Sequence, residues 1–249
     1  MKLSESGFLI SIKRLTLNFI LMMAWFSKKS GDDLVTGEIP AIDSNVTKDT
    51  KTATFSMGCF WGPDALFGSK EGVVKTRVGY AGGTKQNPTY RSLGDHTETV
   101  QIDYDPEKVT YSDLLDIFWN DHDPTTRRTT QYMTMIFYHD GEQKKFAVKS
   151  KKQMQERLDG EVKTEIVKYS KFYLAEDYHQ KYQLSRSRRL YSAFKSIYPD
   201  IKDFVDSTAV ARANGLVSGK GDIDIVDKLG LNEEGKELIR KSFKRAGGV

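Results

Sequence analysis

From residue 52 onward the chain alternates between short stretches of period-two character and longer stretches with helical spacing of apolar positions. Residues 54–57 alternate in character, as a half-buried strand does, and run into Gly58-Cys59-Phe60-Trp61-Gly62-Pro63-Asp64. Pro63 and Asp64 suit the first turn of a helix. Proline there lacks only a hydrogen that would be unpaired, and aspartate suits the helix dipole. Leu66 and Phe67 then give that helix an apolar face. Residues 72–80 predict a second strand closed by Ala81-Gly82-Gly83, and residues 98–104 a third that ends at Asp105-Pro106. Thr110 with Asp113 has the spacing of a capping box, with Asp in place of the usual Glu or Gln. The helix it opens carries Leu114, Leu115, Ile117 and Phe118 and stops at Pro124. Residues 132–138 read as a strand. Asp140 then caps a helix through Phe146, Val148, Met154 and Leu158, and residues 165–167 read as a further strand. Strands and helices alternate without dinucleotide-binding glycine spacing, so the expected class is α+β: a compact mixed sheet with helices packed against it.

The two ends differ from this middle. Residues 15–26 are uncharged and mostly apolar, follow Lys13 and Arg14, and fall short of the roughly 20 residues that a spanning helix needs. Three readings stay open for them: a signal-peptide apolar region, an organelle-targeting segment, or sequence upstream of a true start at Met22 or Met23. Residues 27–51 are polar with scattered Gly and Pro and read as a linker, with order expected to begin near Thr52. Past Pro199 small and polar residues surround Gly215, Gly219 and Gly221, and residues 233–243 predict a last amphipathic helix. The division expected is an N-terminal hydrophobic segment and linker at 1–51, a catalytic domain at 52–200 and a C-terminal extension at 201–249.

Composition narrows the chemistry. A 38% hydrophobic and 11% aromatic content allows a real core, and a net charge of +4 gives no signal for nucleic acid. The basic runs at 149–152 and 241–245 read as solvated helix faces. A single cysteine excludes an internal disulfide framework and any Cys-x-x-Cys zinc site. The four histidines, His96, His122, His139 and His179, show no ligand spacing, so no bound metal or cofactor is expected.

Cys59 sits where a strand gives way to a helix, a place where unpaired backbone N–H groups and the helix dipole favour thiolate over thiol. Phe60 and Trp61 beside it either anchor the helix to the core or form an apolar cup beside the nucleophile. The run Gly58-Cys59-Phe60-Trp61-Gly62 resembles the signature of A-type peptide methionine sulfoxide reductases. Further segments resemble the same family in the same order: Gly79-Tyr80-Ala81-Gly82-Gly83, Asn87-Pro88-Thr89-Tyr90, His96-Thr97-Glu98, Phe118-Trp119, His122-Asp123-Pro124-Thr125, Thr130-Gln131-Tyr132 and Ala175-Glu176-Asp177-Tyr178-His179-Gln180.

The resemblance, which spans about 54–182, implies a ferredoxin-like plait and reduction of methionine-S-sulfoxide in oxidised proteins or peptides. In that reading Cys59 attacks the sulfoxide sulfur, Glu98 is the acid, Tyr90 and Tyr132 hydrogen-bond the oxygen, and Phe60, Trp61 and His179 bind or organise the substrate. The sequence departs from the family at four points. Asp64 stands where Glu is usual, and the 90–98 stretch is shorter. Arg127-Arg128 occupy the region of the family's aspartate-bearing loop, where a cation could hold the thiolate. No second cysteine is present to resolve a sulfenic acid. The resemblance thus implies an external thiol reductant (thioredoxin, glutathione or a glutaredoxin-like protein, or dithiothreitol in the test tube). A monomer in a reducing compartment is expected, cytoplasmic or an organelle matrix, without stable membrane insertion. The competing reading is a degenerate relative that binds oxidised methionine or senses thiols without turnover.

Overall fold

In the computed structural model, which describes residues 31–44, 46–47 and 49–248, the alternating stretch before the cysteine is β1 (Lys51–Met57). Its pleat sends Ala53, Phe55 and Met57 into an apolar core. Thr54 and Ser56 take the opposite face, where they are also buried and hydrogen-bond His139 and Thr99. β1 lies between β3 (Thr97–Tyr104) and β4 (Thr134–Tyr138). Beyond β3 come β2 (Val73–Ala81) and the edge strand β6 (Phe172–Leu174), and beyond β4 comes the other edge, β5 (Glu165–Lys168). Every neighbouring pair is antiparallel except β4 with β5.

Helix α1 (Trp61–Gly68) joins β1 to β2, and α2 (Tyr111–Asn120) joins β3 to β4. The inner four strands with these helices therefore make the split β–α–β plait, and the class is α+β. α3 (Gly141–Arg157) supplies the crossover that the parallel β4–β5 pair requires. Thr110 and Asp113 form the reciprocal capping box, and Asp140 caps α3 by accepting from Gln143 N–H.

α3 buries Gln143 and Ala147 and packs Met154 and Leu158 against the core, while Phe146 and Val148 are exposed. Two expectations need correction. Tyr132 precedes β4, in a 3-10 turn at Thr130–Tyr132. Order does not wait for Thr52. Leu34 is fully buried in a second, helical core, Val35 bridges to Leu231, and Asp43 accepts hydrogen bonds from the Thr208 and Ala209 N–H groups and the Ser207 and Tyr198 hydroxyls. A polar composition hid this strap because a few well-placed groups hold it.

That second core is built by α4 (Arg188–Ile197), α5 (Ile201–Asp206), α6 (Thr208–Leu216) and α7 (Glu233–Arg245). Every residue of α6 is buried. It crosses α1 closely because small residues meet: a Cβ on Gly215 would stand 2.5 Å from Ser69 Cβ, and one on Gly68 would stand 2.9 Å from Ala211 O. The Arg212 guanidinium donates to the carbonyls of Gly68 and Val73, closing the end of α1. Where α1 begins, the fully buried Lys181 pairs with Asp64 at 2.9 Å and also donates to Thr76 O and Oγ1. Lys181 N–H, Thr76 Oγ1 and Asn214 Nδ2 all donate to the same carboxylate. Loss of hydration pulls the ammonium of Lys181 below its ordinary pKa, and the Asp64 charge opposes that.

Among the described residues no helix is long and apolar enough to cross a membrane, and the apolar run at 15–26 lies outside those residues. Removing one member of a buried pair leaves its partner's charge uncompensated, so Lys181→Met should lower stability by about 3–5 kcal/mol. Chemical denaturation checks this, and adding Asp64→Leu should recover much of the loss. Parental stability in Lys181→Met alone would mean that Asp64 carries no buried charge.

Candidate active site

Cys59 lies in the turn between β1 and α1, after Gly58 at φ +91°, a left-handed conformation that favours glycine. The cysteine is exposed. Beneath it is Glu98, near the start of β3, a buried carboxyl on the helix-covered face. Phe60 N–H donates to Glu98 Oε2 at 3.0 Å, and Gln131 Nε2 donates to Oε1 at 2.8 Å. Cys59 lies close enough to the same carboxyl for each to influence the other's proton. Thr97 Oγ1 in turn donates to the Gln131 carbonyl, which fixes the amide that faces Glu98.

Burial raises the pKa of Glu98, against the lowering effect of the Gln131, Phe60 and Cys59 hydrogen bonds. The cysteine corrects an expectation. Its thiol is pushed up, first by lost hydration and then by the charge and hydrogen bond of Glu98, and the Trp61 N–H lowers it less than these raise it. The helix start does favour thiolate, as the turn position suggests, but desolvation and a neighbouring carboxylate outweigh it. Neither arginine of the 127–128 pair contributes to that balance. The one against the turn is Arg128, with Nη1 3.3 Å from where a Cβ on Gly58 would stand.

Phe60 is buried under the turn, among Val78, Tyr80 and Ala175, and so anchors the helix start. Trp61 is half-buried, stacked on Tyr182 with ring centroids 3.7 Å apart at 7°. Its Nε1–H donates to His179 Nδ1 at 3.2 Å. That bond puts the neutral imidazole's proton on Nε2, which is buried without a partner among the described residues. His179 itself is buried behind Trp61 and packs on Phe60 and Tyr90. Burial lowers its pKa, which keeps the ring neutral.

Tyr90 and Tyr132 are half-buried, and Tyr132 lies near Glu98, Tyr90 and Cys59. The Tyr132 hydroxyl is pushed up to about 12, by lost hydration first and the Glu98 charge second, so it remains a donor. The Tyr90 loop is tied down by Glu176, which accepts from Tyr90 N–H and from the Tyr80 hydroxyl. His96 holds the glycine turn: Gly83 N–H donates to Nδ1, and Nε2–H donates to Lys85 O.

The structure therefore gathers Cys59, Glu98, Trp61, Tyr90 and Tyr132 around one opening, with Phe60 and His179 as supports behind it. Sequence reasoning assigned no role to Gln131, Glu176, Lys181 or Tyr182. Gln131 and Glu176 stand inside motif segments already singled out, and that was the only signal available. Among the described residues no three His, Cys, Asp or Glu side chains converge to hold a metal ion. What the arrangement offers is a thiol near a carboxyl disposed to carry a proton, beside an aromatic wall and two hydroxyl donors.

The family model described as peptide methionine sulfoxide reductase matches residues 51–211. A peptide methionine sulfoxide reductase of Drosophila melanogaster is 47% identical over 188 residues, 74% of each chain. One from Methanococcoides burtonii is 46% identical over 142 residues, 52% of this chain and 93% of its own. Among solved structures, methionine sulfoxide reductase A of Corynebacterium diphtheriae aligns at 33% identity and a TM-score of 0.52, covering 57% of this chain and 77% of its own. The reduced form of Mxr1 from Saccharomyces cerevisiae aligns at 29% identity and a TM-score of 0.53, covering 58% and 91%. With the plait, the cysteine turn and its carboxyl in place, these likenesses settle the assignment: the chain belongs to the peptide methionine sulfoxide reductase family and is an enzyme of that kind.

Proposed function

We propose that the enzyme reduces the S epimer of methionine sulfoxide in peptides through a sulfenic acid on Cys59, which an external thiol then clears. The observation that carries this reading is the placement of Cys59 beside the buried Glu98, whose carboxyl accepts from the N–H of the next residue, Phe60; the pKa values of both groups are raised. Such a pair loses its two protons in separate steps, and the singly protonated form is what the reaction needs. With that proton on Glu98, Cys59 is the thiolate nucleophile.

The sulfoxide methyl group lies against Trp61, whose ring is fixed by Tyr182 and His179. Cys59 Sγ bonds to the electrophilic sulfur while Glu98 protonates the oxygen. Tyr90 and Tyr132 donate to that oxygen as it gains charge. The hydroxyl then passes from the methionine sulfur to Cys59 Sγ as the Sγ–sulfur bond breaks, and the electron pair of that bond returns to methionine sulfur. The net change is thiol plus sulfoxide to sulfenic acid plus thioether. Recycling needs two external thiol equivalents, because the chain has one cysteine. The first forms a mixed disulfide and releases water, and the second frees Cys59. Thioredoxin, glutathione or a glutaredoxin-like protein fits this role in a reducing compartment, with the enzyme acting as a monomer.

Turnover of a methionine-S-sulfoxide peptide with dithiothreitol should be multiple in the parent and absent in Cys59→Ser. One equivalent of methionine followed by a halt would favour a thiol sensor, and none at all a sulfoxide-binding protein. The kcat/KM profile should rise with pH through a group above the ordinary glutamate range, since the doubly protonated pair lacks a nucleophile, and fall once the second proton is lost. Glu98→Gln should move the rising limb to that of a lone thiol and cost roughly 10²- to 10⁴-fold in rate. A limb that stays in place in that variant would assign the proton elsewhere. Tyr132→Phe should lower kcat by roughly ten- to hundred-fold with little change in KM. A pure KM effect would make Tyr132 a binding group only.

A further inference from the structure

The loop before Thr130–Tyr132 carries two cations that the reaction above leaves unused. Arg127 and Arg128 are exposed, and among the described residues neither guanidinium has an ion-pair or hydrogen-bond partner. The acids nearest in sequence are engaged elsewhere. Asp123 accepts from Thr125 and Thr126, and Asp121 pairs with Lys220. Arg128 is nonetheless placed with some care. It lies against the glycine that precedes Cys59, where any larger residue would crowd it. Three residues further on, Gln131 is bonded to Glu98, so this short stretch runs beside the active-site turn.

We propose that Arg127 and Arg128 are the docking site for the thiol that resolves oxidised Cys59, and that this thiol is a small molecule carrying carboxylates. The inference rests on the sulfenic acid reading above. Once Glu98 has passed its proton to the sulfoxide oxygen it is a carboxylate, and the next reactant must bring a thiolate to the sulfur beside it. Like charges oppose that approach, and an unpaired cationic loop at the same turn offsets the repulsion and raises the local concentration of an anionic thiol. The bonds balance. The thiolate forms a disulfide with Cys59 Sγ as the Sγ–O bond breaks, the departing hydroxide takes the thiol's proton and leaves as water, and a second thiol releases Cys59 and the oxidised thiol pair.

The test compares glutathione, which carries carboxylates, with uncharged dithiothreitol at saturating neutral sulfoxide substrate, in the full chain. In the double variant Arg127→Gln, Arg128→Gln the ratio of kcat/KM for glutathione to that for dithiothreitol should fall roughly five-fold or more. The parent ratio should shrink likewise as salt rises from about 0.05 to about 0.5 M, while the variant ratio stays flat. Arg128→Glu should lower the ratio further. A variant ratio within two-fold of the parent, or a parent ratio that salt does not move, overturns the proposal, as does a parent that uses dithiothreitol but not glutathione. A parent inactive with both thiols removes the reductase reading itself, so the two failures are distinguishable.

Discussion

The buried pair of Asp64 and Lys181 is the constraint on which the geometry of the site depends. Asp64 sits in the first turn of the helix that begins beside Cys59. Lys181 sits between His179 and Tyr182, the two residues that hold Trp61. The carboxylate also accepts from Thr76 on β2 and from Asn214 on α6. One desolvated charge pair therefore joins the nucleophile's helix, the central sheet, the aromatic support and the C-terminal helices. Its net contribution to stability is modest in principle, because two charges have left water, but either partner alone would be costly to bury. That asymmetry makes the pair a device for registry. Lys181 reaches Asp64 from a left-handed backbone conformation at φ +52°, strain that persists only where surrounding contacts enforce it.

This explains why the C-terminal extension belongs to the machinery although it touches no reacting atom. α6 lies along the back of α1, with glycine and alanine at the crossing and Arg212 closing the far end. Residues 31–44 then cap α6 through Asp43. The cysteine turn is thereby braced from behind by segments distant in sequence, while its front stays open. Rigidity behind and access in front are what an exposed nucleophile needs if its position relative to a buried acid is to be kept.

Much of this was legible in the sequence, and the parts that were not share a cause. The alternation at 54–57, the glycine turn, Pro63 and the Thr110–Asp113 box are local signals, and the structure places each element within a few residues of its predicted span. Cys59, Glu98, Tyr90 and Tyr132 came from motif resemblance, since nothing local marks a strand glutamate as buried. What escaped notice depends on long-range partners. Lys181 reads as one more surface lysine until Asp64, far away in sequence, is brought to it. Asp43 lies in a segment whose composition says linker. The raised cysteine pKa escaped for the same reason: the helix start is visible locally, whereas the lost hydration that outweighs it and the carboxyl that adds to it come from packing with distant segments.

The electrostatics of the site then follow from where charge is allowed to stand. Both protonatable groups at the reacting centre are held towards their neutral forms, Glu98 by burial and Cys59 by burial and by Glu98. Tyr132 is likewise kept as a hydroxyl, and His179 as an imidazole. A centre of this kind carries one negative charge when poised to react, on the Cys59 thiolate before the proton moves and on Glu98 afterwards. Fixed positive charge at the sulfur itself would stabilise the thiolate before substrate arrives and so weaken it as a nucleophile. Arg128 is instead one step back, against Gly58, where it adds nothing to the balance that sets the resting thiol's pKa and is free to meet what next approaches. A basic loop at 127–128 is thus compatible with the first chemical step, and its consequence falls on the second.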